Sequence, residues 1–138
     1  MRLVLAGAQP KPRVQALANS QVTVTGWVDD IAREYRAAHV FVAPLRMGTG
    51  LQNKVLEAMA SKVPCVLSPH AFAPLGIPAH NHALICSDAP SFARAIDELL
   101  SNPDAANAMA SQAQTAVQNQ FSWEAHNQGL NDILTSVQ

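Results

Sequence analysis

The residues best suited to chemistry lie in one short run, Pro44-Leu45-Arg46-Met47-Gly48-Thr49-Gly50, which leads into a segment of helical apolar spacing from Leu51. Two glycines let backbone approach a ligand closely. The unsatisfied amides at a helix start carry partial positive charge, so the run suits an anion such as a phosphate. The same residues also make a plain tight turn, and Thr49 serves equally as helix cap or as a hydroxyl aimed at a ligand. On spacing alone both readings stay open. Arg46, just past a strand end, offers a fork of donors to a phosphate oxygen or simply adds surface charge. Glu57 stands two turns into the predicted helix, on the polar side with Asn53, Lys54 and Ser61, where spacing favours a solvated pair with Lys54.

Other chemistries lack their signatures. Of the five histidines only His80 and His82 are close in sequence, and neither has a cysteine or carboxylate at metal-ligand spacing, so a metal site is not expected. His39 opens a strand and reads as a packed structural residue, whereas His70 sits in a loop within reach of a substrate. No Gly-x-Ser-x-Gly, Walker loop or Gly-x-Gly-x-x-Gly is present, which removes the hydrolase, P-loop and dinucleotide motifs.

The elements that must position the run follow from periodicity. Apolar strand-type runs at 2–6, 22–25, 40–43, 63–67 and 83–86 alternate with helical stretches at 11–18, 31–38 and 51–61. In the last of these, Leu51, Val55, Ala58 and Met59 share one face. Strands apolar on both faces and alternating with helices predict a Rossmann-like, three-layer α/β/α domain with a mainly parallel sheet of about five strands and right-handed crossovers. From Pro90 the pattern is helical: 91–100, then 103–121 with Asn102 as cap and Pro103 as first residue, then 123–137. The Ala- and Gln-rich stretch 105–120 reads as a surface helix of high propensity. Residues 69–80, with three prolines and one glycine, read as an ordered loop with at most one helical turn.

Composition bounds the rest. At 138 residues, 49% hydrophobic and 14% charged, the chain forms one unit able to bury a core without staples. A formal charge of −1, with nine scattered basic residues, makes nucleic acid an unsuitable partner. No apolar run approaches the roughly 18 residues of a membrane helix, and residues 1–6 are too short for a signal peptide. Cys65 and Cys86 lie in or beside apolar runs and read as reduced core thiols. The expected location is cytoplasmic, with peripheral association at the inner membrane as the variant.

In open α/β sheets, ligands bind beyond the carboxyl ends of the strands, which here means the loops 7–10, 26–29, 44–50 and 68–70. Those loops and the strands before them carry a family resemblance. Arg2-Leu-Val-Leu-Ala-Gly7, Val22-Thr-Val-Thr-Gly-Trp-Val-Asp-Asp30, His39-Val-Phe-Val-Ala-Pro-Leu45, Gly50-Leu-Gln-Asn-Lys-Val-Leu-Glu-Ala-Met-Ala60, Val63-Pro-Cys-Val66 and Phe121-Ser-Trp123 together resemble the C-terminal domain of glycosyltransferase family 4, of GT-B fold. The resemblance covers essentially the whole chain. The block from Leu51 to Ala60 is similar to a bacterial branch linked to exopolysaccharide assembly and exosortase loci.

By position, the resemblance implies that Glu57 is the second acid of the family's paired glutamates and holds the nucleotide ribose hydroxyls. The Gly48, Thr49, Gly50 and Leu51 backbone would lie against the diphosphate and donor sugar, and Val28 would meet the base through its main chain. It further implies metal-independent transfer with retention from a UDP- or GDP-linked sugar and no cofactor, the leaving diphosphate being stabilised by amides and cationic side chains.

Two departures qualify this. Thr49 stands eight residues before Glu57, where the family has its first acid, so donor identity is open. The chain also begins at what resembles the domain's second strand, without the first strand, its diphosphate-clamping Gly-Arg and Lys, or the N-terminal acceptor domain. Half a site cannot position donor and acceptor together, so this stretch alone is expected to be inactive. The absent strand would lie between those at 2–6 and 40–43. Either these two close up or another chain fills the gap, which gives the open sheet a route to homo-oligomers; failing both, the strand alignment is wrong. The alternatives are a non-catalytic nucleotide-binding or assembly module that keeps the fold, and a nucleotide-sugar epimerase of the same architecture.

Overall fold

A computed structural model of the chain describes residues 1–48 and 50–122. Among these described residues, five strands appear where the apolar runs predict them: β1 (Leu3–Ala6), β2 (Val22–Gly26), β3 (Phe41–Ala43), β4 (Cys65–Leu67) and β5 (Leu84–Ile85). All pairings among them are parallel. They do not form one sheet. β1 pairs with β2, and β3-β4-β5 form a second sheet. The strands at 2–6 and 40–43 therefore do not close up, and the expected five-stranded sheet is two ladders of two and three strands. Among the described residues, β1 and β3 exchange no backbone hydrogen bonds, and each is the edge strand of its ladder.

Among the described residues, six helices connect and cover them: α1 (Pro12–Gln15), α2 (Ile31–Ala37), α3 (Asn53–Ala60), α4 (Pro69–Phe72), α5 (Ala89–Ser101) and α6 (Pro103–Phe121). The stretch read as a loop with at most one helical turn holds two in succession, α4 and a 3-10 turn, Ala73–Leu75. Ser68 explains the first, because its Oγ accepts from the Ala71 amide at 3.3 Å and Pro69 is pre-set for a first helical position. The Ser-Pro pair was the available signal. The helix foreseen at 123–137 lies outside the described residues.

The core is organised by β4. Its three residues are all buried, Cys65 and Leu67 on one side with Val55, Met59 and Ala71, Val66 on the other with Ala95 and Leu99. Strand alternation makes this unavoidable: successive side chains leave opposite faces, so a central strand covered by helices on both sides is apolar throughout. α6 closes both clusters, supplying Ala106 and Met109 to one and Ala113 and Val117 to the other. Its glutamines are not merely solubilising. Gln114 Nε2 donates to the Ala60 carbonyl at the end of α3 at 2.7 Å, and Gln120 Nε2 to the Leu75 carbonyl at 3.0 Å.

Two helix starts differ in detail from the expectation. Asn102 stands at the N-cap of α6 as expected, its carbonyl accepting from the Ala106 amide at 3.0 Å, but its side chain makes no cap bond: Nδ2 donates back to the Glu98 carbonyl at 2.9 Å, at the end of α5. α5 begins at Ala89, two residues before the expected start, because Asp88 and Ser91 form a reciprocal capping box. Both cysteines are free and buried, and burial pushes the Cys65 thiol up to about 12.

Candidate functional site

The loop after β3 runs from Pro44 to Gln52, where α3 is capped by position; Gln52 is extended (φ −100°) and makes no side-chain cap bond. The helix therefore starts at Asn53. Leu51 lies ahead of it and is 41% exposed, so it does not continue the buried stripe of Val55, Ala58 and Met59. Thr49 cannot be the N-cap, a place Gln52 takes; Thr49 itself lies outside the described residues. Gly50 adopts φ +75°, a left-handed conformation that disfavours any L side chain, and this makes its glycine a backbone requirement. The Gln52 amide folds back to donate to the Gly50 carbonyl at 3.3 Å. It also packs beside Gly48, where an added Cβ would meet Gln52 Nε2 at 3.4 Å. The loop is thus drawn against the start of α3, whose first amides have no intrahelical acceptor.

Glu57 is exposed on α3, but its carboxylate is not solvated in the way spacing suggested. Glu57 Oε2 accepts a hydrogen bond of 3.1 Å from Tyr35 Oη of α2, rather than pairing with Lys54. Tyr35 is 8% exposed and its ring meets Phe41 edge-on, with centroids 5.7 Å apart. Burial, then the Glu57 hydrogen bond and negative charge, hold the phenol well above its usual range. The shift favours the protonated phenol, which donates to Glu57.

Val28 lies in the loop leaving β2, half-buried, two residues after Gly26, which takes φ +70°. That loop is drawn tight by the Trp27 indole donating to Asp29 at 3.2 Å and by Asp30 capping α2 through the Arg33 amide at 3.0 Å. Arg46 is exposed and lines a cavity of about 890 Å³ with Pro44, Leu45, His70, Asp88 and Phe92, beyond the carboxyl ends of β3, β4 and β5. His70, in the first turn of α4, thus joins Arg46. His39 does not fit its reading, since it is exposed and precedes β3.

The structure thus gathers the candidates into two places. Arg46 and His70 share the cavity, whose lining does not include Glu57, Gly48, Gly50, Leu51 or Val28. Glu57 instead sits one and a half turns along α3 from the glycine loop and is tied to α2. Sequence reasoning missed Tyr35, Gln52 and Asp88. The Asp88-x-x-Ser91 spacing was a legible cap signal, but nothing in local spacing joins Tyr35 to a residue 22 positions away. Among the described residues no group of three or more His, Cys, Asp or Glu could hold a metal ion, and no helix is long and apolar enough to cross a membrane.

Parallel strands joined by helices, with helices covering both faces of the central strand, define the class: a Rossmann-like α/β domain. The profile of the family described as glycosyl transferases group 1 matches residues 1–102, and the chain belongs to that family. Comparison with curated proteins finds no match. Among solved structures, HepE from Anabaena in complex with UDP superposes with TM-score 0.85 at 17% identity, over 99% of this chain and 41% of its own. Sucrose-phosphate synthase from Thermosynechococcus elongatus gives 0.82 at 25% identity, over 99% and 38%. A glycosyltransferase from Rickettsia africae gives 0.81 at 17%, over 99% and 40%. The fold is that of one half of a GT-B enzyme, and the chain spans about two fifths of each of these proteins.

Proposed function

We propose that this chain is the donor-binding half of a glycosyltransferase acting from a nucleoside-diphosphate sugar, with its site at Gly48, Thr49, Gly50, Leu51 and Glu57. The observation that carries the reading is the pairing of a left-handed glycine at the mouth of α3 with a carboxylate on the same helix, held in place from α2. The helix start and loop amides suit a diphosphate, while an oriented carboxylate suits the vicinal hydroxyls of ribose. The fold neighbour crystallised with UDP supports a uridine nucleotide as the first ligand to try; a GDP-linked sugar is the variant. Val28 would meet the base and Arg46 the phosphate side.

In this reading transfer is metal-independent and retaining. Charge developing on the leaving diphosphate is taken by amides and by Arg46, in the manner of an anion hole. The pathway we favour is bacterial exopolysaccharide or cell-surface glycan synthesis, on the cytoplasmic side, on the strength of the sequence block at 51–60. A non-catalytic nucleotide-binding module is the second reading, favoured by Thr49 in place of the family's first acid. Transfer itself would need the acceptor half of a complete enzyme to hold both substrates together.

Calorimetric titration with UDP, UDP-glucose and GDP tests the site. Micromolar binding that weakens roughly tenfold or more in Glu57→Ala is the expected result, as for loss of a charge-assisted hydrogen bond. Absence of heat with every nucleotide would sink the donor-site reading.

A further inference from the structure

Tyr35 is the sole tyrosine of the chain, and its placement is unusual for a residue with no assigned role. Its ring is set in the same core cluster as Val55 and Met59 of α3, while Phe41 of β3 meets it edge-on. The hydroxyl, the one polar end, emerges at the exposed carboxylate of Glu57 and donates to Oε2 at 3.1 Å. A surface glutamate normally samples many rotamers. This one is clamped by a donor whose own ring is held by packing.

We infer that Tyr35 is the positioning residue of the nucleotide site: it fixes Glu57 through Oε2 and leaves Oε1 to accept from the vicinal hydroxyls of a nucleoside ribose. The inference rests on the reading of Glu57 as a donor-binding residue. A carboxylate has about four lone-pair sites, so one bond from a phenol orients the group without exhausting it. The raised phenol pKa means that the clamp does not release at neutral or mildly alkaline pH. There is a geometric corollary. α2 begins at the Asp30 cap, directly after the loop bearing Val28, and ends near Tyr35. The proposed base contact and the proposed ribose contact are therefore joined through one short helix and one hydrogen bond.

The test is calorimetry with UDP and with UDP lacking both ribose hydroxyls, on the wild-type chain, Tyr35→Phe, Glu57→Gln and the double variant. Phenylalanine keeps the ring packing, so a purely structural Tyr35 would leave the preference for ribose hydroxyls intact. Expected is a loss of roughly fivefold for UDP in Tyr35→Phe with the dideoxy nucleotide unaffected, a larger loss in Glu57→Gln, and a double variant no weaker than Glu57→Gln alone. A Tyr35→Phe protein that keeps wild-type affinity and discrimination, while Glu57→Gln loses both, overturns the positioning role and leaves the Glu57 reading standing. Failure of wild type to bind UDP, or wild-type binding by Glu57→Gln, overturns the Glu57 reading and the role of Tyr35 in ribose recognition with it. A ligand-free measurement separates these cases. Because Tyr35 is the sole tyrosine, tyrosinate absorbance after a rapid alkaline jump reports it alone, and it should ionise at lower pH in Glu57→Gln. An unchanged midpoint refutes the Tyr35–Glu57 pair itself.

Discussion

The two ends of the described chain are built from the same kind of element and are stabilised very differently. Residues 1–34 form a β-α-β unit with a parallel ladder and contain no buried residue. Every buried residue among those described lies between positions 35 and 117, around β4 and the helices on its two faces. Leu3 and Val4 of β1 are 46% and 43% exposed, whereas Val66 and Leu67 of β4 are fully buried. A strand can therefore satisfy its backbone without burying its side chains. Among the described residues, α2 begins in the first region and ends in the second, and its packing against α3 brings Tyr35 to Glu57. The proposed nucleotide site thus lies along the seam between a weakly buried unit and a strongly buried one.

Truncation of one apolar side chain in each region should expose this contrast most sharply. Met59→Ala removes a side chain with no solvent exposure and should cost about 2–5 kcal/mol in urea unfolding. Leu3→Ala, already half outside, should cost below about 1 kcal/mol. Equal costs would mean that the β1–β2 unit is buried in solution. A smaller effect is expected at Gln114→Ala. That change strips the Ala60 carbonyl of its partner at an exposed helix end and should lower stability by about 0.5–1 kcal/mol by the same assay. No loss would show that α6 is held by its apolar face alone.

The smallest effect is a matter of pH. Asp30 and Asp88 cap helices in the two regions alike, but only the second belongs to a reciprocal box. Backbone and side-chain hydrogen bonds from Ser91 hold the Asp88 carboxyl below its usual value. A depressed folded pKa contributes stability that is present above the unfolded value, near about 4, and is lost as pH falls through the folded one. The melting-temperature difference between wild type and Asp88→Asn should therefore be present at neutral pH and shrink on acidification below about pH 4. A difference independent of pH would place the effect outside the carboxylate.

Much of the fold was legible because its signals are local. Alternating apolar runs located all five strands, and helical spacing located α2, α3, α5 and α6. The Pro44 to Gly50 run was recognisable as a special loop for the same reason, since glycine chemistry and an adjoining helix start are neighbours in sequence. Local signals also misled where they competed. Leu51 fitted the helical stripe, but the glycine loop held the helix start back to Asn53. Asn102 does take the N-cap position of α6, but its side-chain amide bonds the Glu98 carbonyl instead of the first turn of α6.

What the sequence by itself determined was the set of elements, the parallel α/β character, the apolar central strand and the glycine-rich loop that leads into α3. Only the tertiary structure decided that the strands form two ladders, that the first 34 residues contribute nothing to the buried core, and that Glu57 is held by a phenol rather than a lysine. The physical reason is range. Propensity, capping and periodicity act within about one or two helical turns, whereas sheet partnership and the Tyr35–Glu57 bond depend on how separate elements pack, which no local spacing encodes.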